Sequence, residues 1–164
     1  MTKQEKINRI IELLTEAALI IADLGQEKEP SLLDVAISQI GKDASPQDLA
    51  PDELGCAESV SVLIGQSYGN FPVITGTWTL YQRLENDPRF SSVLTPQAGD
   101  IIISPTGSLA NAPFPGHTGI MLDDHHIMSN DSSSGTWQDN YTLTTWNKRW
   151  GKAGYPTYFY RYNG

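Results

Sequence analysis

Residues 53–60 read Glu-Leu-Gly-Cys-Ala-Glu-Ser-Val, and they hold the chain's single cysteine, Cys56. The residues around it settle what kind of element carries it. Asp52 is a residue type that caps helices, and Cys56, Ala57, Val60, Leu63 and Ile64 fall on one face at helical spacing. The pattern predicts a helix from Asp52 to about Ile64, with the thiol in its first turn and directed into the domain. Unpaired N–H groups and the helix dipole favour negative charge at that position, so a thiolate is cheapest to form there. The alternative is a small, inert core residue, the usual fate of a lone buried cysteine.

Upstream of this helix the sequence is helical. Ile7, Ile10, Leu14, Ala17, Ile21 and Leu24 alternate in steps of three and four, the spacing of a heptad seam. Ile11, Leu13, Ala18 and Ile20 widen that face. Gly25 is the expected stop. Residues 1–25 are therefore expected to form an amphipathic helix, either packed on its own domain or serving in docking or oligomerisation, and 26–164 the main domain. QEKEP (26–30) reads as a polar linker. Ser31 caps a second helix, with Leu32, Val35, Ala36 and Ile40 inward. TGTWTLYQRLEND (75–87) reads as a further helix.

Downstream the period changes. FSSVL, IIIS, GHTGIML, HHIMSND and TYFYRY are short β-type runs between turn signals, and the third and fourth read as a hairpin. YTLTTWNKRW reads as a short helix or turn. Helices followed by strands define an α+β domain, with N-terminal helices packed on an antiparallel sheet.

Composition bounds the function. The chain has 164 residues, with 39% hydrophobic and 18% charged, enough for one domain with a real core. One cysteine allows no internal disulfide. A formal charge of −8 disfavours nucleic acid and anionic lipid as partners, and equally disfavours electrostatic capture by anionic wall polymers. The N-terminus shows no signal-peptide pattern, and IIELLTEAALIIAD is too short and too interrupted to span a bilayer. Synthesis in the cytoplasm without a signal peptide is expected, with no membrane insertion.

A catalytic thiol also needs a base, and the base needs an orienting group. His117, opening a strand in PGHTGIM beside small residues, is the candidate base. Asn130, on the partner strand of the hairpin, is the candidate orienting group, in the Cys–His–Asn arrangement of papain-like enzymes. His126 competes with it for the third place. Trp78, Trp137 and Tyr68 are candidates to line a substrate cleft. Asp123, Asp124, His125 and His126 combine metal-ligand types, but they read as a solvated turn, and neither metal nor cofactor is expected.

The stretches ELGCAESVS, PQAGDIIIS, GHTGIM and IMSN with SSGTW resemble the papain-like superfamily of cell-wall hydrolases that contains the NlpC/P60 and CHAP domains. In wording they are most similar to phage-encoded members. The resemblance runs from about Ser31 to the C-terminus. It departs from the family where the cysteine lacks a preceding Asp and a following Ser-Gly, and where the third position is Asn. It implies Cys56 as nucleophile, His117 as general base and then acid, and Asn130 as orienter. The activity it implies is cleavage of amide bonds in peptidoglycan stems or cross-bridges, as an endopeptidase or N-acylmuramoyl-L-alanine amidase, through an acyl-enzyme. Delivery to the wall would come from a holin, a virion or a secretion machine, and a toxin aimed at a competitor is one form of it. Two other functions fit the same residues: a non-catalytic phage-assembly component docking through the N-terminal helix, and a protein-deamidating effector.

Overall fold

Three of the four residues Ile101–Ser104 are isoleucine, and both faces of this run are buried. A strand with no polar face needs a layer on each side, and that requirement organises the fold. The computed structural model describes the backbone of residues 1–24 and 30–164, and side chains at 1–20 and 30–164. The expected stop at Gly25, and the linker apart from Pro30, lie outside the described residues.

The helices are α1 (Lys3–Leu24), α2 (Leu32–Ser38), α3 (Cys56–Tyr68), α4 (Thr77–Asn86) and α5 (Leu143–Trp146). The strands are β1 (Phe90–Ser92), β2 (Ile101–Ser104), β3 (His117–Met121), β4 (His126–Asp131), β5 (Thr136–Thr142) and β6 (Tyr158–Tyr162). The strands form one antiparallel sheet in the order β1-β6-β2-β3-β4-β5. The domain is α+β, with α2, α3 and α4 on one face of the sheet. There Val60, Leu63 and Ile64 of α3 and Leu80 and Leu84 of α4 meet Ile101, Ile103, Ile120 and Met128. The other face carries Ile102, Met121 and Ile127 under Trp146, Trp150 and Tyr155 of the C-terminal segment.

Local chemistry sets the boundaries. Ser31 and Asp34 form a reciprocal capping box at the start of α2. Ile40 lies beyond the end of α2 and is exposed, not inward as its spacing suggested. Asp52 does not cap α3. It opens a 3-10 turn (Asp52–Leu54), and α3 starts at Cys56, with Gly55 at the N-cap. β5 takes in residues 136–140, to which the sequence pattern assigns no element, and the first two residues of YTLTTWNKRW; of the rest of that segment only Leu143–Trp146 is α-helical.

Two polar anchors tie the loops down. Asp100, buried at the start of β2, takes two hydrogen bonds from Arg161 (2.9 and 2.7 Å) and one from the Gln97 amide (2.8 Å). Glu58, fully buried in the first turn of α3, accepts from the backbone N–H groups of Gln47, Leu49 and Ala50 (3.1, 3.1 and 2.8 Å). The loop leading to Cys56 is thereby pinned to the helix that carries it.

Every side chain of α1 from Lys3 to Ile20 is exposed, including Ile7, Ile10, Ile11, Leu13, Leu14, Leu19 and Ile20. No helix among the described residues is long and apolar enough to cross a membrane. Because these side chains bury nothing within the chain, Ile10→Ser with Leu14→Ser is expected to leave the unfolding free energy of the monomer, from urea titration at low protein concentration, unchanged within about 0.5 kcal/mol. A drop of several kcal/mol would place α1 inside the folded core.

Candidate active site

Gly116 decides where His117 can sit. A Cβ on Gly116 would fall 2.3 Å from both the Ser104 carbonyl oxygen and the Thr106 nitrogen, so only glycine lets this loop cross the end of β2. β3 then starts at His117. Gly119 is required for the same reason, since a Cβ there would meet the Met128 carbonyl oxygen at 2.5 Å.

Cys56 and His117 line one cleft of about 640 Å³. Its walls include Glu53 and Leu54 on the cysteine side, and Tyr141, Arg149 and Trp150 on the histidine side. Thr75, Gly76 and Trp78 lie along its length. The thiol lies against the start of β3, where the backbone amides of Thr118, Ala57 and Cys56 itself favour its anion.

The imidazole is boxed by aromatic rings. It stacks on Trp150 with ring centroids 4.9 Å apart and planes 1° from parallel, and Trp146 and Tyr141 close the box at 5.5 and 5.7 Å. Trp146 Nε1 donates to Ser104 Oγ at 3.0 Å, and Trp150 Nε1 donates to the Pro115 carbonyl at 3.3 Å. The C-terminal aromatic segment therefore fixes both the ring and the loop that delivers it.

Ser129, not Asn130, contacts the imidazole. His117 Nε2 and Ser129 Oγ are 3.0 Å apart, and Ser129 Oγ donates to Asn140 Oδ1 at 2.7 Å. The hydroxyl's one proton is committed to Asn140, so the hydroxyl accepts from Nε2–H. That fixes the tautomer: the proton is on Nε2, and Nδ1 keeps the lone pair. Strand parity explains the exchange. Met121 pairs with Ile127 and Ile120 with Met128, so Ser129 shares a face with Gly119 and His117, while Asn130 shares the opposite face with Met128. Asn140 reaches Ser129 through a β-bulge. Ile127 pairs with Tyr141 and Met128 with Asp139, leaving Asn140 as the inserted residue.

Asn130 lies instead on the cysteine side. Its Nδ2 donates to the Asp52 carbonyl at 2.6 Å, holding the turn that leads to Cys56. Its Oδ1 has no partner among the described residues. His126 is exposed at the far end of the hairpin, where its Nδ1 pairs with Asp123 Oδ2 at 2.8 Å. Asp123 also accepts from the His125 and His126 amides (2.7 and 2.6 Å), so the Asp-Asp-His-His run is a hydrogen-bonded turn. Of the aromatic candidates, Trp78 lines the cleft. Trp137 is 1% exposed in the core, and Tyr68 stacks on Tyr162 at 3.5 Å above a different surface hollow. Both are placed by packing rather than by the cleft.

Burial sets the charge state. Cys56 and His117 are each 5% exposed. Loss of water pushes the thiol up to about 11 against the pull of the three amides. Loss of water, aided by the Arg149 charge, pushes the imidazole down to about 3. At neutral pH the resting groups are thus thiol and neutral imidazole rather than an ion pair. Alkylation of Cys56 by iodoacetamide is therefore expected to be slow at pH 7 and to rise about tenfold per pH unit up to about pH 10, following the thiolate fraction. A rate that is flat from pH 5 to 9 would mean a preformed thiolate–imidazolium pair.

The folded chain is a papain-like α+β domain, with a cysteine opening the central helix and a histidine opening the adjacent strand. The structure superposes on a chain of the crystal structure of the type VI native effector–immunity complex Tae3–Tai3 from Ralstonia pickettii, with a TM-score of 0.54 and 22% sequence identity, covering 83% of this chain and 99% of that one. No family model matches the chain, and no curated protein matches it by sequence.

Proposed function

We propose that the protein is a cysteine hydrolase that cuts amide bonds in the peptide part of bacterial peptidoglycan. One observation carries the reading: Cys56 and His117 line one cleft, with Nε2 of the imidazole engaged by Ser129 and Nδ1 left to accept a proton. The structural likeness to a chain of a type VI effector–immunity complex supports delivery by a secretion machine over release as a phage lysin. The sequence resemblance to cell-wall hydrolases supports the substrate.

In this mechanism Cys56 Sγ attacks the amide carbonyl carbon as its proton passes to His117 Nδ1. Attack and proton transfer are concerted, because a free thiolate beside a free imidazolium is disfavoured in so buried a site. The backbone amides around Sγ stabilise the oxyanion. The C–N bond then breaks, and the imidazolium returns the proton to the leaving amine. Water, deprotonated by Nδ1, attacks the thioester carbonyl. The acid leaves, and the thiolate regains its proton.

The test is the covalent intermediate. Acid-quenching the protein during turnover of muropeptides should give an intact mass raised by one acyl fragment, located on Cys56 and released by hydroxylamine. Turnover with no adduct, and undiminished turnover by Cys56→Ala, would assign the chemistry to another group.

The exposed apolar face of α1 is proposed as a self-association element. Sedimentation should show a mass that rises with concentration, and Ile10→Ser with Leu14→Ser should remove that rise. A monomer at all concentrations would refute it.

A further inference from the structure

Two formal charges stand in the cleft walls, and neither has an ion-pair partner among the described residues. Glu53 belongs to the 3-10 turn that leads into Cys56, so it lies on the cysteine wall. Arg149 precedes Trp150, the ring on which His117 stacks, so it lies on the histidine wall. Its guanidinium is held over the faces of Trp150 and Phe114, with its carbon 5.2 and 5.5 Å from the ring centroids. The two rings hold the cation beside the cleft, and among the described residues no hydrogen bond or ion pair takes up its N–H groups. In a chain of net charge −8, an unpaired arginine at the rim of the site is not explained by general surface charge.

We propose that Glu53 and Arg149 fix the direction and class of the substrate: an amide whose leaving-amine fragment carries a free carboxylate, bound by Arg149, and whose acyl fragment carries a cationic group, bound by Glu53. The inference rests on the hydrolase reading, because that reading gives the cleft a direction. His117 must reach the leaving nitrogen to protonate it, so the leaving fragment lies along the histidine wall, where the guanidinium waits. The acyl fragment stays on Sγ and lies along the cysteine wall. A planar guanidinium with an open edge suits a carboxylate, which it can bind through two parallel hydrogen bonds.

Binding of the carboxylate has a consequence for rate. Arg149 is the main charge that opposes protonation of His117. A carboxylate seated on the guanidinium neutralises that charge and makes the imidazole a better base once the correct substrate is bound. The arginine then acts on kcat as well as on KM, which a merely structural residue would not do in a substrate-dependent way.

The experiment uses synthetic peptides matched in all but one group, on the full chain. One pair has a free carboxylate or a carboxamide on the leaving residue, and the other a free or acetylated amine on the acyl residue. Turnover is measured for wild type, Arg149→Gln and Glu53→Gln, and affinity is measured separately by calorimetry on Cys56→Ala. Arg149→Gln should lower kcat/KM for the carboxylate peptide about tenfold through KM, and should not lower it for the carboxamide peptide, whose kcat should rise because the charge that opposes protonation of His117 is gone; in the wild type the carboxylate peptide should have the higher kcat of the pair. Glu53→Gln should lower kcat/KM for the free-amine peptide alone. Equal losses on both members of a pair, or no preference of the wild type within either pair, would overturn the assignment. Selective binding by Cys56→Ala without turnover by the wild type would keep the charge assignment and sink the hydrolase reading. Turnover indifferent to both substitutions would do the reverse.

Discussion

Ser129→Ala is expected to lower kcat/KM roughly 10- to 100-fold while leaving the fold intact, because the hydroxyl is what holds the proton on His117 Nε2. Without it, nothing selects the tautomer with a free Nδ1, and the ring is held by stacking alone. The loss should fall on kcat, since the hydroxyl faces the base and not the cleft. Asn140→Ala should give a smaller loss, because Ser129 can then turn its hydrogen elsewhere yet still accept from Nε2. The double variant should be no worse than Ser129→Ala alone, as expected for two groups acting in series. Asn130→Ala separates the two possible assignments of the orienting residue. It should leave the pH dependence of the rate unchanged and act only through the turn at Asp52. A Ser129→Ala variant as active as wild type, with Asn130→Ala inactive and shifted in its pH profile, would restore Asn130 to the third position.

Glu58→Ala is expected to destabilise the domain by roughly 2–4 kcal/mol, measured by urea unfolding. Three backbone N–H groups lose their acceptor at once. Two of the three donors belong to exposed residues of the loop, Gln47 and Leu49, so water recovers part of the loss and the upper limit is not reached. Glu58→Gln keeps one acceptor but turns an NH₂ towards a donor, and should fall between the two. The same change frees the segment that ends at Cys56, so alkylation of the thiol should quicken in the native state. An unchanged midpoint would mean that the loop is held by its other contacts, such as the bond from Ser45 Oγ to Asp52 Oδ1 at 3.3 Å.

The parts of the molecule that were legible in the sequence are those fixed by short-range patterns. The first-turn position of Cys56, the buried run Ile101–Ser104 and the glycine-flanked start of β3 follow from helical spacing, an unbroken apolar run and small residues at a crossing. Which residue meets the imidazole was not legible, because it depends on parity. Ser129 and Asn130 are adjacent, and one step in register exchanges the faces to which they point. Asn140 was further out of reach, since a bulge has no signature in TWQDNYT and no strand is legible there. Trp137 and Tyr68 show the limit of composition: a large aromatic is as much at home in the core, or stacked on another ring, as in a cleft. Arg149 gave no signal in a stretch that reads only as an aromatic anchor. Its meaning comes from the wall it occupies and from having no ion-pair partner among the described residues.

The most direct test of the central claim is digestion of purified peptidoglycan by wild type and Cys56→Ala, with the products resolved by mass spectrometry. Release of muropeptides by the wild type alone is expected, with masses that place the cut at one amide whose new amine lies on a fragment bearing a free carboxylate. Walls of several chemotypes left intact by the wild type, or cut equally by Cys56→Ala, would contradict it.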